Sequence, residues 1–463
     1  MIHFGTGGWR AEIGKDFTID NVRIIAQALA NKIIDENKND KPVIIGYDRR
    51  FLSDSAARWL AEVLSANNIR VLFMKRSVPT PLVMHSVMKQ HLHYGLEVTA
   101  SHNPSSYNGI KVITEEGRDA SIEVTNSIEE IANGELSVKS ISFDQGLEKK
   151  LITYIDNPFN AFLDDILNVL DKEAIRNRGP RILFDSMHGS ASYPFNVLFY
   201  STRCTIDQIN ANKDAFFGGF MPAPTKNTLV LLQEKVKTEH YDLGIGVDGD
   251  GDRLGVIDSN GEYISANDIL VLLYYYLHEY KGWKGAVVRN MSTTHLLDKI
   301  ALDFGEQCYE VPVGFKHISS KIDEVDAILG GESSGGLTVR GHIHGKDSIY
   351  ASALFVEMIC KTNKTPTELL KIIHDKYGTY EFIECNIYLE KDINLNEVTI
   401  PKFDNKILKI NREDGIKVYF EDNSFVTCRH SGTEPLLRIF AEANTYELAQ
   451  SYIDRWKENL NII

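Results

Sequence analysis

One pattern recurs three times along the chain and limits the folds open to it. A short run of aliphatic and β-branched residues leads into a polar loop at 43–46, 181–184 and 285–288. Each time a second unit follows, in which a polar loop containing glycine joins two apolar runs, at 95–112, 243–257 and 327–339. Helical periodicity accompanies these strand-like runs, as at Val22, Ile25, Leu29 and Ile33. The repeat therefore predicts three related α/β domains.

The end of the chain has a different pattern. From about residue 377, strand-like runs precede one amphipathic helix that carries Tyr446, Ala449, Ile453 and Trp456. We predict three similar mixed-sheet α/β domains and a smaller C-terminal α+β domain, at 1–145, 146–254, 255–374 and 375–463. A length of 463 residues suits several domains of roughly 150 residues. Fewer domains with hairpin insertions would give the same periodicity.

Charge and cysteine content exclude several classes of protein. With 64 acidic and 50 basic residues, the chain has a net charge of −14 and no bulk attraction to nucleic acid or an anionic membrane. A small anionic substrate would need locally gathered positive charge. The five cysteines form neither a CxxC pair nor a zinc-ligand spacing.

The longest apolar run, 269–277, is far shorter than the ~20 residues that span a bilayer. No charged-then-apolar leader follows Met1, so we expect a cytoplasmic protein.

The first loop with candidate catalytic residues contains Ser101, His102 and an Asn-Pro dipeptide, and it is followed by Lys111. A strand delivers Ser101 into a turn, because Asn-Pro and Asn-Gly dipeptides interrupt regular structure. No GxSxG motif surrounds the serine, which argues against a hydrolase triad. A serine that carries phosphate fits better, with Lys111 and His102 managing charge and protons. An unremarkable polar hairpin loop is the alternative.

A second loop carries Asp248, Asp250 and Asp252 between glycines. Three carboxylates at i, i+2 and i+4 can converge on one hard cation, and oxygen ligands with open positions suit Mg²⁺. An EF-hand is excluded, since Arg253 occupies the sixth position and Ser259 the twelfth. Mutual repulsion of the three carboxylates argues against a simple charged turn.

Two further loops offer groups that bind a sugar phosphate. In the glycine-rich segment 330–336, Glu332 and Ser334 alternate and can exchange hydrogen bonds with sugar hydroxyls. The segment 429–435 combines backbone amides, hydroxyls and guanidinium groups into a plausible phosphate cradle. Its candidate residues are Arg429, Ser431, Gly432 and Thr433, with Arg438 just beyond. A glycine-rich bend and an ordinary turn are the respective alternatives.

Two further segments contain weaker candidates for binding an anionic substrate. Lys316 and His317 follow a glycine and can act near a substrate, although a solvated loop is nearly as good an interpretation. Arg10 ends a glycine-rich segment, 4–10, in which the backbone can approach a ligand closely and the arginine can clamp an anion.

Together these loops resemble the α-D-phosphohexomutase family, the phosphoglucomutases and phosphomannomutases, over essentially the whole chain. The resemblance implies that the four domains surround one central cleft, each supplying one loop. It also implies that Ser101 is the phosphorylated serine and that Asp248, Asp250 and Asp252 bind Mg²⁺ together with Ser101 or its phosphate. The implied basic groups near the phosphoserine are Arg10, Lys111 and Arg253. Glu332 and Ser334 match the sugar-binding loop, and the loop at Arg429 matches the phosphate-binding loop.

The reaction implied by this resemblance is a double phosphoryl transfer. Phosphoserine donates to the free hydroxyl of a hexose monophosphate, and the resulting hexose 1,6-bisphosphate, also the activator, returns its other phosphoryl group. Lys111 or His102 is the candidate base. Gly336 stands where other branches carry an acid/base histidine, and Lys316 or His317 is the expected replacement.

The substrate expected from the resemblance is a phosphorylated hexose, glucose or mannose or both, because residues 107–109 (Tyr-Asn-Gly) match those branches. A phosphoglucosamine mutase and a non-catalytic sugar-phosphate-binding protein are the alternatives. The intact Ser101, the three aspartates and Lys111 argue against mere binding. The sequence is compatible with a monomer or a homodimer.

Overall fold

The computed structural model describes residues 1–5, 8–389, 393–431 and 436–461. The chain divides into two compact units, the first made of Met1–Ile269 and Ser334–Pro366 and the second of Leu270–Ser333 and Thr367–Ile463. Within the described ranges, no helix combines the length and the apolar character that crossing a membrane requires.

The first unit begins with a mixed eight-stranded sheet. Its strands are β1 (Phe4–Gly5), β2 (Gly8–Glu12), β3 (Val43–Tyr47), β4 (Val71–Phe73), β5 (Tyr94–Val98), β6 (Tyr107–Thr114), β7 (Arg118–Asp119) and β8 (Ile152–Tyr154). Their order is β1-β2-β6-β5-β3-β4-β8, with β7 on β6. Strand β3 runs parallel to β4 and β5, whereas β6 runs antiparallel to β5 and β2. The helices are α1 (Ile19–Asp35), α2 (Ser53–Ala66), α3 (Thr80–Lys89), α4 (Ile122–Asn133) and α5 (Phe143–Glu148).

Helix α1 follows the predicted periodicity. Its residues Val22, Ile25, Leu29 and Ile33 are buried against the sheet. Thr18 caps the helix, because its side chain accepts the backbone amide of Asn21.

The same unit contains a second sheet of similar design. Its elements are α6 (Pro158–Val169), α7 (Lys172–Arg178), β9 (Arg181–Asp185), α8 (Ser192–Ser201), β10 (Thr205–Ile209), α9 (Val230–Thr238), β11 (Leu243–Val247), β12 (Leu254–Asp258) and β13 (Tyr263–Ile264). Strands β10, β9 and β11 are parallel, and β12 and β13 continue the sheet antiparallel. As in the first sheet, a parallel strand and its antiparallel neighbour enclose a polar loop: β5 and β6 in one case, β11 and β12 in the other.

The next elements in the chain are α10 (Ala266–Glu279), β14 (Val287–Asn290), α11 (Leu296–Asp303), β15 (Cys308–Val311), α12 (Phe315–Val325), β16 (Leu329–Gly331), β17 (Leu337–Val339), α13 (Ser348–Thr362) and α14 (Pro366–Tyr377). In the second unit, β14 pairs in parallel with β15 and β16. This arrangement repeats the parallel part of the two earlier sheets.

The second unit ends with an antiparallel sheet and one helix. The strands are β18 (Glu381–Tyr388), β19 (Ile407–Asn411), β20 (Ile416–Phe420), β21 (Phe425–His430) and β22 (Leu436–Ala443), followed by α15 (Tyr446–Asn459). The strand order is β18-β22-β21-β20-β19. Helix α15 packs Tyr452, Ile453 and Trp456 into the core of this sheet. The predicted fold class, mixed α/β sheets with a smaller C-terminal α+β domain, is confirmed.

Candidate active site

Ser101 lies in the turn that joins β5 to β6. It is buried, and its backbone φ of 51° lies in the left-handed region, which costs a residue other than glycine about 1–3 kcal/mol. The Ser101 amide donates to Thr99 Oγ1 at 2.8 Å, and the Thr99 hydroxyl donates to Asp48 Oδ2 at 2.7 Å. These hydrogen bonds offset the strain and hold the serine at the end of its strand.

The three predicted metal-binding aspartates are buried together in the loop between β11 and β12, with one carboxylate oxygen of each within 4.8 Å of the others. Gly251, with φ of 77°, allows the loop to turn back between Asp250 and Asp252. Asp248 Oδ2 lies 3.4 Å from Ser101 Oγ. Among the described residues, Asp250 Oδ1 and Asp252 Oδ1 find no hydrogen-bond partner. Buried carboxylate oxygens that make no hydrogen bond, beside a serine hydroxyl, fit a hard divalent cation such as Mg²⁺.

The opposite oxygens of two of these aspartates are paired with cations. Lys111 Nζ donates to Asp250 Oδ2 and Asp252 Oδ2, both at 2.8 Å. The Thr80 hydroxyl donates to Asp250 Oδ2 at 2.7 Å, and Lys346 Nζ lies 3.0 Å from Asp252 Oδ2. One oxygen of Asp250 and one of Asp252 are therefore held in place, and the other oxygen of each makes no hydrogen bond to a described residue. Asp252 Oδ1 lies 3.9 Å from Arg253 Nε.

The electrostatics of this loop are strongly perturbed. Burial, reinforced by the charges of Asp252 and Asp250, raises the pKa of Asp248 well above its usual value. Burial also acts to raise the pKa of Asp252, but the neighbouring cations, Lys111 first, outweigh it and hold that pKa well below the usual range. Burial opposes the charge of Lys111, yet Asp250 and Asp252 raise its pKa above the usual value. A divalent cation would relieve the repulsion centred on Asp248.

Three more predicted residues lie around Ser101. His102 Nδ1 is 3.4 Å from Ser101 Oγ. Burial, followed by the charges of Arg253 and Arg10, holds the pKa of His102 well below its usual value, so the imidazole is neutral. Arg10 donates to the side chain of Asn103 in the serine loop, and burial together with Arg253 lowers the Arg10 pKa. The first unit thus gathers the following predicted residues: Arg10, Ser101, His102, Lys111, Asp248, Asp250, Asp252 and Arg253.

Lys346 is a member of this cluster that the sequence analysis did not identify. A Cβ at Gly336 would lie 2.1 Å from Lys346 Cδ, so the glycine leaves the space through which the lysine side chain passes. Asp347, the next residue, accepts the amides of Ile349 and Tyr350 and caps α13. The cap fixes the backbone beside Lys346. No local motif marks this lysine, because only the folded chain brings it to the aspartate loop.

The second unit holds the predicted arginines. Arg429 of β21 and Arg438 of β22 are direct cross-strand partners. Arg429 Nη2 lies 3.3 Å from Asp414 Oδ1, and Asp414 Oδ2 accepts the backbone amide of Val313 at 2.9 Å. Asp414 therefore links the arginine to the turn that precedes α12. The Ser431 amide is tied to the start of β22, whereas Gly432 and Thr433 lie outside the described residues.

The remaining predicted residues are divided between the units. In the second unit, Glu332 follows β16, and its Oε2 accepts a hydrogen bond from Asn290 Nδ2 at 3.3 Å. Lys316 and His317 lie in the first turn of α12, where burial and the charge of Lys316 lower the pKa of His317. Ser334 belongs to the first unit and is exposed.

Four domain families match this chain, each described as a domain of phosphoglucomutase/phosphomannomutase. Domain I matches residues 1–139, domain II residues 160–261, domain III residues 265–377 and the C-terminal domain residues 360–458. Domains I to III are described as alpha/beta/alpha domains.

Full-length relatives carry related names. The chain is 28% identical over 452 residues to a phosphoglucomutase/phosphomannomutase of Thermococcus kodakarensis, covering 97% of this chain and 96% of the relative. It is 27% identical to a phosphoglucosamine/phosphogalactosamine mutase of Sulfurisphaera tokodaii, covering 98% of each. A crystal structure of a Thermus thermophilus protein, assigned as a phosphomannomutase, matches with a TM-score of 0.87 and 26% identity over 99% of both chains.

Relatives and structural neighbours alike are mutases of sugar phosphates. Because all four domain families match in order, the relationship extends to the whole architecture and is not confined to one loop. The chain belongs to the α-D-phosphohexomutase superfamily and is an intramolecular phosphotransferase.

Proposed function

We propose that the enzyme interconverts the 1-phosphates and 6-phosphates of glucose, mannose or both, through phosphorylated Ser101 and a hexose 1,6-bisphosphate. One observation carries the proposal: Ser101 Oγ lies 3.4 Å from Asp248 Oδ2, in a loop whose other two aspartates each keep one oxygen that makes no hydrogen bond in the described part of the chain. A serine beside a candidate cation site, with basic groups around it, suits phosphoryl transfer. A protein that only binds sugar phosphates would not need such a serine.

Each half of the reaction exchanges one P–O bond for another. The bond between phosphorus and Ser101 Oγ breaks while a bond forms from phosphorus to O1 or O6 of the hexose monophosphate. The hydroxyl proton passes to a base, and the departing Oγ receives a proton. After the bisphosphate has turned over, the same steps run in reverse, and its other phosphoryl group returns to Ser101. Free hexose 1,6-bisphosphate would phosphorylate resting enzyme and act as the activator.

His102 and Lys111 are the candidate proton carriers. His102 Nδ1 lies 3.4 Å from Ser101 Oγ, within reach once substrate is bound. Lys111 Nζ already donates to Asp250 and Asp252. The hydrogen-bond geometry therefore favours His102 for the proton on Oγ, and Lys111 for holding charge.

Mg²⁺ is the expected cation, and the family is magnesium-dependent. Asp248, Asp250 and Asp252 would hold it together with an oxygen of Ser101 or its phosphate. A bound Mg²⁺ neutralises negative charge on the transferring group. The protein adds the donors Arg10, Arg253 and Lys111, which contact the serine loop or the aspartates. Lys346 is a further such donor, because it contacts Asp252.

The remaining predicted residues would bind the part of the substrate that does not react. Arg429 and Arg438 would hold the unreacting phosphate, aided by the hydroxyls and amides of the loop that follows. The loop residues in question are Ser431, Gly432 and Thr433. Glu332 and Ser334 would bind sugar hydroxyls, and Lys316 and His317 would supply charge near the sugar.

A hexosamine phosphate is the second candidate substrate, supported by the name of the Sulfurisphaera tokodaii relative. Asn108 is the middle residue of the 107–109 match to the glucose and mannose branches. Asn108 is buried, and its amide donates to Phe51 O and Ser53 Oγ, both at 2.9 Å. Asn108 ties β6 to the start of α2, so we expect residues other than Asn108 to contact the sugar.

The test is an assay of glucose 1-phosphate conversion to glucose 6-phosphate with Mg²⁺ and glucose 1,6-bisphosphate. Mannose and glucosamine phosphates are tested as substrates and as competitors. Ser101→Ala should abolish turnover and the incorporation of phosphate, while the melting temperature stays close to that of the wild type. Equal inactivity of the wild type on all three sugars, or an active Ser101→Ala variant, would refute the proposal. A preference for glucosamine phosphate would replace glucose and mannose by the second candidate.

A further inference from the structure

Arg50 is a fully buried arginine beside the serine loop. Its guanidinium group donates to four backbone carbonyls, all within the segment 101–107. Nη1 donates to Pro104 O at 2.9 Å and Tyr107 O at 3.1 Å, and Nη2 donates to Ser101 O at 2.5 Å and Asn103 O at 2.6 Å. The side chain is 0% exposed. One side chain thus spans the whole turn that presents the serine.

Asp48 completes the support from the other side of the serine. Its Oδ2 lies 3.4 Å from Arg50 Nε and accepts the Thr99 hydroxyl, which in turn accepts the Ser101 amide. Its Oδ1 accepts the Arg50 amide at 2.9 Å and the Ser53 hydroxyl at 2.6 Å. The amide and the carbonyl of Ser101 are therefore both held by a single buried ion pair.

The aromatic ring of Phe217 covers the guanidinium group. The Arg50 Cζ atom lies 4.8 Å from the ring centroid. A planar cation stacked on a ring has little freedom to rotate, so its donors stay aimed at the four carbonyls. Lysine could not replace it, because an ammonium group offers three donors from one point and has no planar fork.

We infer that Arg50 is a positioning residue for phosphoryl transfer. It holds Ser101 in its left-handed conformation and so keeps Oγ close to Asp248 and His102. Arg50 touches the backbone of the serine loop and none of the reacting atoms. The inference rests on the proposed function, because Arg50 can position a reacting group only if Ser101 carries the phosphoryl group.

The expected result separates positioning from binding. Arg50→Lys should lower kcat by about 100-fold, since a displacement of about 1 Å costs that much. KM should change less than about threefold, because the residues expected to bind the unreacting phosphate are untouched. Phosphorylation of Ser101 by glucose 1,6-bisphosphate, followed by mass spectrometry, should slow by the same factor as kcat.

Arg49→Lys is the matched control. Arg49 is the adjacent arginine, and its Nη1 donates to Ala211 O at 2.8 Å, outside the serine loop. This variant should keep kcat within about twofold of the wild type. Thr99→Val tests the same support if Arg50→Lys does not fold. It removes the hydroxyl that links Ser101 to Asp48 and should lower kcat at least tenfold at constant KM.

Hydrogen exchange of the peptide covering residues 101–107 is a readout independent of activity. Arg50→Lys should accelerate exchange of these amides at least tenfold, and Arg49→Lys should not. If the wild type converts no sugar phosphate, the proposed function fails, and exchange alone decides whether Arg50 orders the loop. Wild-type kcat together with unchanged exchange in folded Arg50→Lys would overturn the inference.

Discussion

The side chain of Lys346 occupies the space beside Gly336 and ends 3.0 Å from Asp252 Oδ2. The two residues are complementary: glycine provides the room, and lysine brings a positive charge to the aspartate loop. The resemblance to the family implies an acid/base histidine at the position of Gly336 in other branches. This chain instead directs a cation from the segment before α13 to the same neighbourhood.

Replacing Lys346 with methionine should lower kcat about 100-fold or more, because it removes a largely buried cation that pairs with Asp252 in the loop beside Ser101. The variant keeps a side chain of similar length, so the space beside Gly336 stays filled. Steady-state kinetics with glucose 1-phosphate measure the effect. Lys361→Met is the control, since Lys361 pairs with Asp171 on the exposed surface and should leave kcat unchanged. A fully active Lys346→Met variant would contradict the role of this lysine.

Gly336→Ala should impair the enzyme through the same lysine. The added Cβ would approach Lys346 Cδ to 2.1 Å, so the lysine side chain must shift, and we expect it to lose its contact with Asp252. We expect kcat to fall at least tenfold, with little further loss when Lys346→Met is added, because both changes remove one contact. Fully additive losses in the double variant would show that the two residues act separately.

The aspartates could be predicted from the sequence because Asp248, Asp250 and Asp252 follow one another at a spacing that favours a shared cation. Ser101 was accessible for a similar reason, since its turn signals are local. Lys346 and Asp414 were not, because each reaches its partner only after distant segments fold together. Neither residue stands in a motif of its own. Local patterns therefore predicted the fold class and the loops, while the long-range contacts that orient these loops required the structure.

Removing the metal ion should destabilise the enzyme as well as inactivate it. EDTA should abolish turnover, and Mg²⁺ at about 100 times its dissociation constant should add about 2.7 kcal/mol to the free energy of unfolding. Thermal melting with and without Mg²⁺ checks the effect.

Asp250→Asn should lose most of the stabilisation by Mg²⁺, because Asp250 supplies one of the oxygens that make no hydrogen bond within the described ranges. The control Asp207→Asn changes a half-exposed carboxylate and should retain it. An equal Mg²⁺-dependent gain in both variants would argue against the aspartate site.

Asp414→Ala should weaken substrate binding. Asp414 accepts both the Val313 amide and the Arg429 guanidinium, so its loss frees the arginine expected to hold the unreacting phosphate. We expect KM to rise about tenfold, equivalent to about 1.4 kcal/mol, with kcat within threefold of the wild type. Glu413→Gln alters the exposed neighbour and should change neither constant. A loss confined to kcat would show that Asp414 does not act through binding.

The stability of the second unit should depend on pH through His295. His295 Nδ1 faces Asn423 O at 2.9 Å and therefore carries the proton, while Nε2 lies 2.9 Å from Lys417 Nζ and accepts. Burial, followed by the charges of Lys417 and Arg289, lowers the pKa of His295 to about 4. The carboxylates of Glu310 and Asp298 act in the opposite direction but do not compensate.

The folded-state pKa lies below the unfolded value of ~6.5, so the unfolded chain binds an extra proton between pH 6.5 and 4. The contribution of His295 is therefore present above pH 6.5 and is lost as the pH falls, by about 3 kcal/mol in full. Glu442 opposes this trend. Burial raises its folded-state pKa to about 7, so its protonation stabilises the folded protein as the pH falls. The wild type alone would therefore hide the effect of the histidine.

The difference in the free energy of unfolding between the wild type and His295→Gln isolates the contribution of His295. Glutamine does not titrate and can still accept from Lys417, so the variant should gain about 3 kcal/mol relative to the wild type between pH 7.5 and 4. Urea unfolding at a series of pH values, followed by circular dichroism, measures this gain. His240→Gln changes an exposed histidine and should show a smaller pH-dependent difference. Parallel stability curves for wild type and His295→Gln would mean that His295 titrates alike in the folded and unfolded chains, and that its hydrogen bond from Lys417 does not hold it neutral.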